Sequence, residues 1–266
     1  MDLGLSGKSC AVTGASRGIG RETARMLCAE GARVLLVARS EEDLAEAAEA
    51  CGAEGGEAAQ LALDVTAEDA GDRILAEAGE RFGQLDVLVN NAGTAQRRDL
   101  FEVPDEDWIA SFELNVMAPM RAMRAAVPPM AERGWGRVVN VVSSSGKRPS
   151  ASTPEYSVAK AAELSLSRLF ADRYAGEGVL VNAVCPGPVA SELWLEPGGL
   201  LDQTVEMTGG RDRDEVWEEV KSQRPIGRLA EVGEIASAIV FLCSQQASFV
   251  SGSAWSVDGG TVQVII

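Results

Sequence analysis

Thr13-Gly14-Ala15-Ser16-Arg17-Gly18-Ile19-Gly20 is the stretch on which the fold of this 266-residue chain turns. Ahead of it, Lys8 to Thr13 reads as a short buried strand, and behind it Arg21 to Ala29 places apolar residues at helical spacing. Strand, glycine turn and helix in that order suit a bound dinucleotide. The glycines let the backbone turn tightly and approach a pyrophosphate, whose charge meets the free amides and positive dipole end of the helix. An isolated glycine turn satisfies the same pattern, so what lies downstream decides between the two.

Downstream the unit repeats. Arg33 to Ala38 is a second strand, Glu41 to Cys51 a helix, Glu57 to Leu63 a third strand, and a helix from near Ala67 to Phe82 leads to the strand Leu85 to Val89. Pro104-Asp105-Glu106-Asp107 opens a long helix with the proline and acids that suit a first turn. Pro128-Pro129 is expected to kink or end it before Gly134. Arg137 to Val142, Val179 to Cys185 and Ser253 to Val257 read as further strands, with helices over Ser157 to Tyr174 and Glu231 to Cys243 between them. Alternation of this kind predicts an α/β fold: one Rossmann-type domain over 1–266, with a doubly wound parallel sheet, right-handed crossovers and helices on both faces. Residues 188–229 break the alternation. Trp194, Leu195, Leu200-Leu201 and Met207 stand between glycines there, ahead of a charged helix from Asp212 to Lys221, and predict a substrate lid. An ordinary surface excursion is the alternative.

Composition narrows the chemistry. Histidine is absent, which removes the usual general base, the commonest metal ligand and any Ser-His-Asp hydrolase; no metal is expected. The formal charge of −16 opposes nucleic acid as a partner. No apolar run is long enough for a membrane span and no leader is evident, so a cytoplasmic protein without membrane contact is expected. Cys10, Cys28, Cys51, Cys185 and Cys243 are scattered without a Cys-x-x-Cys pair and read as reduced structural residues.

Proton transfer must therefore use another residue type. Tyr156-Ser157-Val158-Ala159-Lys160 supplies one, because residues four apart on a helix share a face and an ammonium beside a phenol favours the phenolate. Ser143 ends the Arg137 to Val142 strand, so its hydroxyl emerges at the carboxyl edge of the sheet, where ligands bind in open α/β folds. Asn115, inside the long helix, is a mediocre helix former and invites a packing or functional reason.

With Asn90-Asn91-Ala92-Gly93 and Asn182-Ala183-Val184-Cys185-Pro186-Gly187 added, these motifs fall in one family's order and spacing. The sequence resembles the short-chain dehydrogenases/reductases from about Leu5 to Gly260, and the spacing Gly-x-x-x-Gly-x-Gly is that family's variant. The resemblance implies an NAD(P)-dependent enzyme with a catalytic set of Asn115, Ser143, Tyr156 and Lys160. Ser143 would bind the substrate oxygen, Tyr156 exchange its proton, Lys160 hold the ribose and tune Tyr156, and Asn115 hold a relay water. It further implies cofactor contacts from Gly14, Ser16, Arg17, Gly18, Ile19, Gly20, Asp64, Val65, Asn91, Ala92, Gly93, Pro186, Gly187 and Val189, with Asn90 structural. Asp64 also suits a cap before the next helix. Ser145, Leu193 and Trp194 are the candidate substrate contacts. A homotetramer is implied as well, with the apolar end Val262 to Ile266 packed against another subunit.

Cofactor choice is read at the end of the second strand. Ala38-Arg39-Ser40 holds no acid to bond the ribose hydroxyls, and Arg39 with Arg17 and Ser40 forms an expected clamp for a 2′-phosphate. NADP(H) is the expected cofactor and NAD(H) the alternative. The expected activity is hydride transfer between nicotinamide and a ketone or secondary alcohol, a 3-oxoacyl thioester among the options. Gly134 and Glu177 stand where carrier-protein reductases place basic docking residues, and an acidic surface repels an acidic carrier. An NAD-dependent alcohol or polyol dehydrogenase is the second reading, and a catalytically silent NADP-binding scaffold the third.

Overall fold

The computed structural model of the chain describes residues 1–263. Seven strands form one sheet: β1 (Ser9–Thr13), β2 (Arg33–Ala38), β3 (Glu57–Ala62), β4 (Val87–Asn90), β5 (Gly136–Val141), β6 (Val179–Pro186) and β7 (Ala254–Val257). All neighbours pair in parallel, in the order β3-β2-β1-β4-β5-β6-β7. Each parallel link needs a crossover, and the helices that make the crossovers cover both faces.

Side-chain alternation along the strands divides the core in two. Val12, Leu36, Val89, Val139 and Val184 point to one face and pack with α1 (Gly18–Ala29), α2 (Glu41–Ala53) and the later helix Val232–Cys243, through Leu27, Leu44 and Ile239. Ala11, Leu35, Leu88, Val138 and Val181 point to the other. They meet Ile74 of α3 (Ala70–Phe82), Met123 and Val127 of a helix over Ala118–Glu132, and Ala171 of a helix over Pro154–Tyr174. Central strands buried on both faces explain why their sequences read as unbroken apolar runs.

The long helix expected from Pro104 onward differs from expectation. It is α4 (Asp105–Phe112), a π-helical turn (Glu113–Met117) and α5 (Ala118–Glu132). The interruption falls at Asn115, and the helix continues through Pro128-Pro129. The two prolines lie within the last turns of α5, where fully buried Val127 and Met130 anchor the chain against the sheet. α6 (Pro154–Tyr174) starts three residues earlier than its apolar pattern suggests and so includes Tyr156 within its first turn.

Residues 188–229 hold α7 (Glu192–Leu195), α8 (Leu200–Met207) and α9 (Arg213–Ser222), and α10 (Val232–Cys243) follows. These short helices share a small apolar cluster of Trp194, Leu200, Leu201, Val216, Val220 and Leu229, separate from both faces of the sheet, and Tyr156 packs against it. All five cysteines are buried and free. Among the described residues no helix is long and apolar enough to cross a membrane. The apolar end Val262 to Ile266 lies mostly outside the described residues.

Candidate active site

The strand order reverses beside β1, which has β2 on one side and β4 on the other. Ligands of open α/β sheets bind at the carboxyl ends of the strands flanking such a point. Here those ends are the glycine turn and Asn90-Asn91-Ala92-Gly93, and Asn91 stitches them together. Its Nδ2 donates to Thr13 O (2.9 Å) and Gly14 O (3.2 Å), while its main-chain N–H donates to Thr13 Oγ1 (3.0 Å). Asn90 ties β4 to β5 by donating from Nδ2 to Asn140 Oδ1 at 2.8 Å.

At Gly14 and Gly20 the turn has no room for a side chain. Gly14 has φ +65°, and a Cβ there would stand 2.9 Å from both Ala92 Cα and Asn91 Nδ2. A Cβ on Gly20 would fall inside contact distance of Gly14 O and Asn91 Nδ2. Alanine raises helix propensity by about 1 kcal/mol over glycine, but the clash is with backbone that cannot yield. Gly20→Ala is therefore expected to destabilise the fold by ~1 to 3 kcal/mol, read as a lower midpoint in thermal or urea unfolding. α1 starts with neither a side-chain cap from Arg17 nor an acid in its first turn. Free first-turn amides behind a glycine-rich turn fit a pyrophosphate.

The residues expected to handle the proton converge at the ends of β4 and β5. Lys160 is 2 % exposed; its Nζ lies 5.7 Å from the Tyr156 ring centroid and donates to Val141 O at 2.9 Å. Tyr156 is half-buried, and its hydroxyl has only a long 3.5 Å contact to Val142 O. Ser143 follows directly, in extended backbone, with its Oγ accepting from Ser145 N at 3.0 Å. Asn115 is 1 % exposed; Nδ2 donates to Ser111 O at 2.9 Å, while Oδ1 is buried without a partner. A Cβ added at Gly93 would stand 3.1 Å from that Oδ1 and 3.7 Å from Lys160 Nζ, so the glycine keeps the space between them clear. The π turn gives a physical reason for an asparagine at 115, since such turns set a side chain apart from the regular helix ladder.

Glu163 is the residue that pattern reading missed. It lies three after Lys160, is 2 % exposed, and accepts from Lys160 Nζ at 2.7 Å. Burial works against the Lys160 ammonium, yet the Glu163 carboxylate and the Tyr156 phenol together outweigh it and hold the group above its ordinary range. For Glu163 the balance is opposite. Burial pushes its carboxyl up to about 7 in spite of the ammonium. Glu163 itself is almost wholly shielded from water, so the desolvation of the carboxylate is the dominant effect on that group. The i,i+3 spacing was visible in the sequence, but such pairs usually lie in solvent.

At the rim, Arg17 pairs with Glu196 beyond α7 at 3.0 Å, both groups more than half exposed. Arg39 is exposed at the end of β2 and has no ion pair among the described residues. Ser40 caps α2, accepting from Asp43 N at 3.2 Å. Asp64 Oδ1 accepts from Thr66 N (2.9 Å) and Thr66 Oγ1 (2.7 Å), which hold its carboxyl below the usual range, with Arg39 adding to the effect. A cleft of about 550 Å³ opens between the start of α1 and α7, lined by Gly18, Arg21, Ser191, Glu192 and Glu196. Ser16 and Ile19 are half-buried along the turn, as Val65 is beyond β3. Pro186 ends β6, Gly187 N donates to Val257 O at 3.1 Å, and Val189 bridges to Ala230. Ser145 and Leu193 are half-buried and Trp194 is buried.

Residues 14–262 match the family model described as enoyl-(acyl carrier protein) reductase. The galactitol 2-dehydrogenase (L-tagatose-forming) of Cereibacter sphaeroides is 39% identical over 96% of this chain and 95% of its own. The 3-oxoacyl-(acyl-carrier-protein) reductase of Salmonella typhimurium is 33% identical over 98% of this chain and all of its own. Among solved structures, the L-sorbose reductase of Gluconobacter frateurii, complexed with NADPH and L-sorbose, superimposes over the full length of both chains with a TM-score of 0.92 at 35% identity.

Proposed function

The chain belongs to the short-chain dehydrogenase/reductase family of NAD(P)-dependent oxidoreductases, and from that premise we propose that it uses NADP(H) to interconvert a ketone and a secondary alcohol. One observation carries the reading. The uncapped start of α1 and the buried Lys160 ammonium, with Tyr156 beside it, face the same sheet edge.

Gly14, Ser16, Gly18, Ile19 and Gly20 would line the pyrophosphate, Asp64 and Val65 the adenine side, and Asn91, Ala92, Gly93, Pro186, Gly187 and Val189 the nicotinamide side. When bound, the nicotinamide supplies or accepts the hydride. Ser143 Oγ hydrogen-bonds the substrate oxygen, and Tyr156 Oη gives that oxygen its proton during reduction or takes it during oxidation. Lys160, already fixed by Val141 O and Glu163, orients the ribose and Tyr156. Asn115 Oδ1, buried and unpartnered, holds the far end of a proton path that passes Lys160. Leu193, Trp194 and Ser145 flank the substrate, with 188–229 as a lid over it.

The unpaired Arg39 favours NADP(H), and Arg17 joins it once released from Glu196. NADPH among the complexes of similar structures agrees with this. Arg39→Asp should shift the ratio of NADPH to NADH catalytic efficiencies toward NADH by ~10-fold or more, because it removes one charge-assisted bond and introduces a ribose acceptor. A wild-type preference for NADH would refute the clamp. Oxidation of NADPH and NADH against ketones, aldehydes, ketoses and 3-oxoacyl thioesters tests the activity as a whole. A thioester preference would favour the oxoacyl branch, and a polyol preference with NAD the dehydrogenase branch.

A further inference from the structure

Among the described residues, two arginines beside the lid have no acid to answer them. Arg97 follows the Asn90 to Gly93 turn, and its guanidinium lies over the Trp194 ring at 5.2 Å. Its Nη1 donates to Ser152 Oγ at 2.6 Å, and its main-chain N–H donates to Gln203 Oε1 of α8 at 2.8 Å. Arg224, just past α9, donates from Nη1 to Val220 O and to Gln223 Oε1. Trp194 and Val220 belong to the one apolar cluster against which Tyr156 packs, so each arginine touches a residue of that cluster.

In each arginine Nε is closed off from solvent and has no hydrogen-bond partner. Burial lowers the pKa of both, and the charge of Arg224 lowers that of Arg97 further; no carboxylate offsets either among the described residues. Neither has the carboxylate partner that Arg17, Arg25, Arg121, Arg213 and Arg228 find in this chain of net charge −16. Two neighbouring, partly buried cations without a counter-ion are unfavourable for folding alone. The fork of a guanidinium matches a carboxylate, and a desolvated wall strengthens the match.

We infer that Arg97 and Arg224 form a carboxylate-binding subsite of the substrate cleft, so that the ketone or alcohol turned over here belongs to an organic acid. This rests on the oxidoreductase reading above. Arg97 anchors one side of the carboxylate from the β4 edge, and Arg224 closes on it from the lid. Ordering α9 over a bound acid would then couple substrate charge to lid position.

Two measurements test the subsite. In the first, NADPH oxidation is followed with a series of 3-, 4- and 5-oxo acids, their methyl esters and acetoacetyl coenzyme A. The acids should exceed their esters in kcat/KM, and Arg224→Gln or Arg97→Gln should lower the acid-to-ester ratio ~10- to 100-fold, chiefly through KM. Arg224→Lys should restore part of the ratio. The second needs no turnover: calorimetry on the NADP⁺-loaded enzyme with succinate and glutarate against their dimethyl esters. Binding of the diacids, weakened in Arg224→Gln, supports the subsite even if no ketone in the first series is reduced, in which case the oxidoreductase reading alone fails. Equal turnover of acids and esters by wild type overturns the inference, as does a ratio unmoved by either substitution, a preference for the coenzyme A thioester over the free acids, or the absence of diacid binding.

Discussion

Tyr156→Phe should lower turnover ~10²-fold or more while leaving the dissociation constant for NADPH and the unfolding midpoint close to wild type. The substitution removes one oxygen whose contact in the folded protein is a 3.5 Å approach to Val142 O, too long to contribute much to stability. The ring remains to pack against the Trp194 cluster. What is lost is the proposed proton donor, in a chain without histidine to stand in for it. Single-turnover reduction of any accepted ketone, alongside cofactor titration by fluorescence, separates these effects. Turnover near wild type would remove Tyr156 from the mechanism.

Lys160→Met should destabilise the protein by ~1 to 3 kcal/mol, because it leaves the Glu163 carboxyl buried without its partner. Lys160→Met combined with Glu163→Leu should recover much of that loss, since replacing both members of a buried pair by apolar groups is often close to neutral. It should nevertheless remain inactive. That contrast, measured by urea unfolding and turnover on the same proteins, distinguishes the structural part of Lys160 from its work on the cofactor and Tyr156. If the double variant is no more stable than Lys160→Met, the Glu163 carboxyl is not what makes the single change costly.

The same pair has a pH signature. Glu163 is raised to about 7 in the folded protein from an ordinary 4.5, so the folded state holds that proton more tightly than the unfolded chain. Its contribution to stability is full below the unfolded value and is lost as pH rises through about 7. Lys160, held above its ordinary 10.5, contributes stability below that value and loses it only at higher pH. Glu163→Gln keeps the shape and removes the titration. In that variant the decline in apo-protein stability between roughly pH 5 and 7 should flatten. A wild-type profile already flat across that range would show that the Lys160 ammonium governs Glu163 after all.

Local periodicity carried much of this protein's architecture. Strands buried on both faces read as apolar runs because neither side meets water, and each alternates with a helix because parallel neighbours need a crossover. The glycine turn was legible for a steric reason, as no side chain fits at Gly14 or Gly20. Tyr156 and Lys160 were legible as a pair because helical spacing places residues four apart together. Those inferences depend on backbone geometry within a few residues, which the order of amino acids determines by itself.

Tertiary structure decided the rest. That Glu163 binds Lys160 inside the protein, and not in solvent, depends on α6 being covered along that face by neighbouring elements. Arg97 and Arg224 are 127 positions apart, and the charge of one reaches the other only once the helices of residues 188–229 have folded onto the rest of the chain. Arg17 meets Glu196 through the same packing, and the helix opens into a π turn around Asn115 yet runs on through Pro128-Pro129, where Val127 and Met130 are fully buried. Charge and burial at these positions are properties of what surrounds a residue, and distant segments of the chain supply those surroundings.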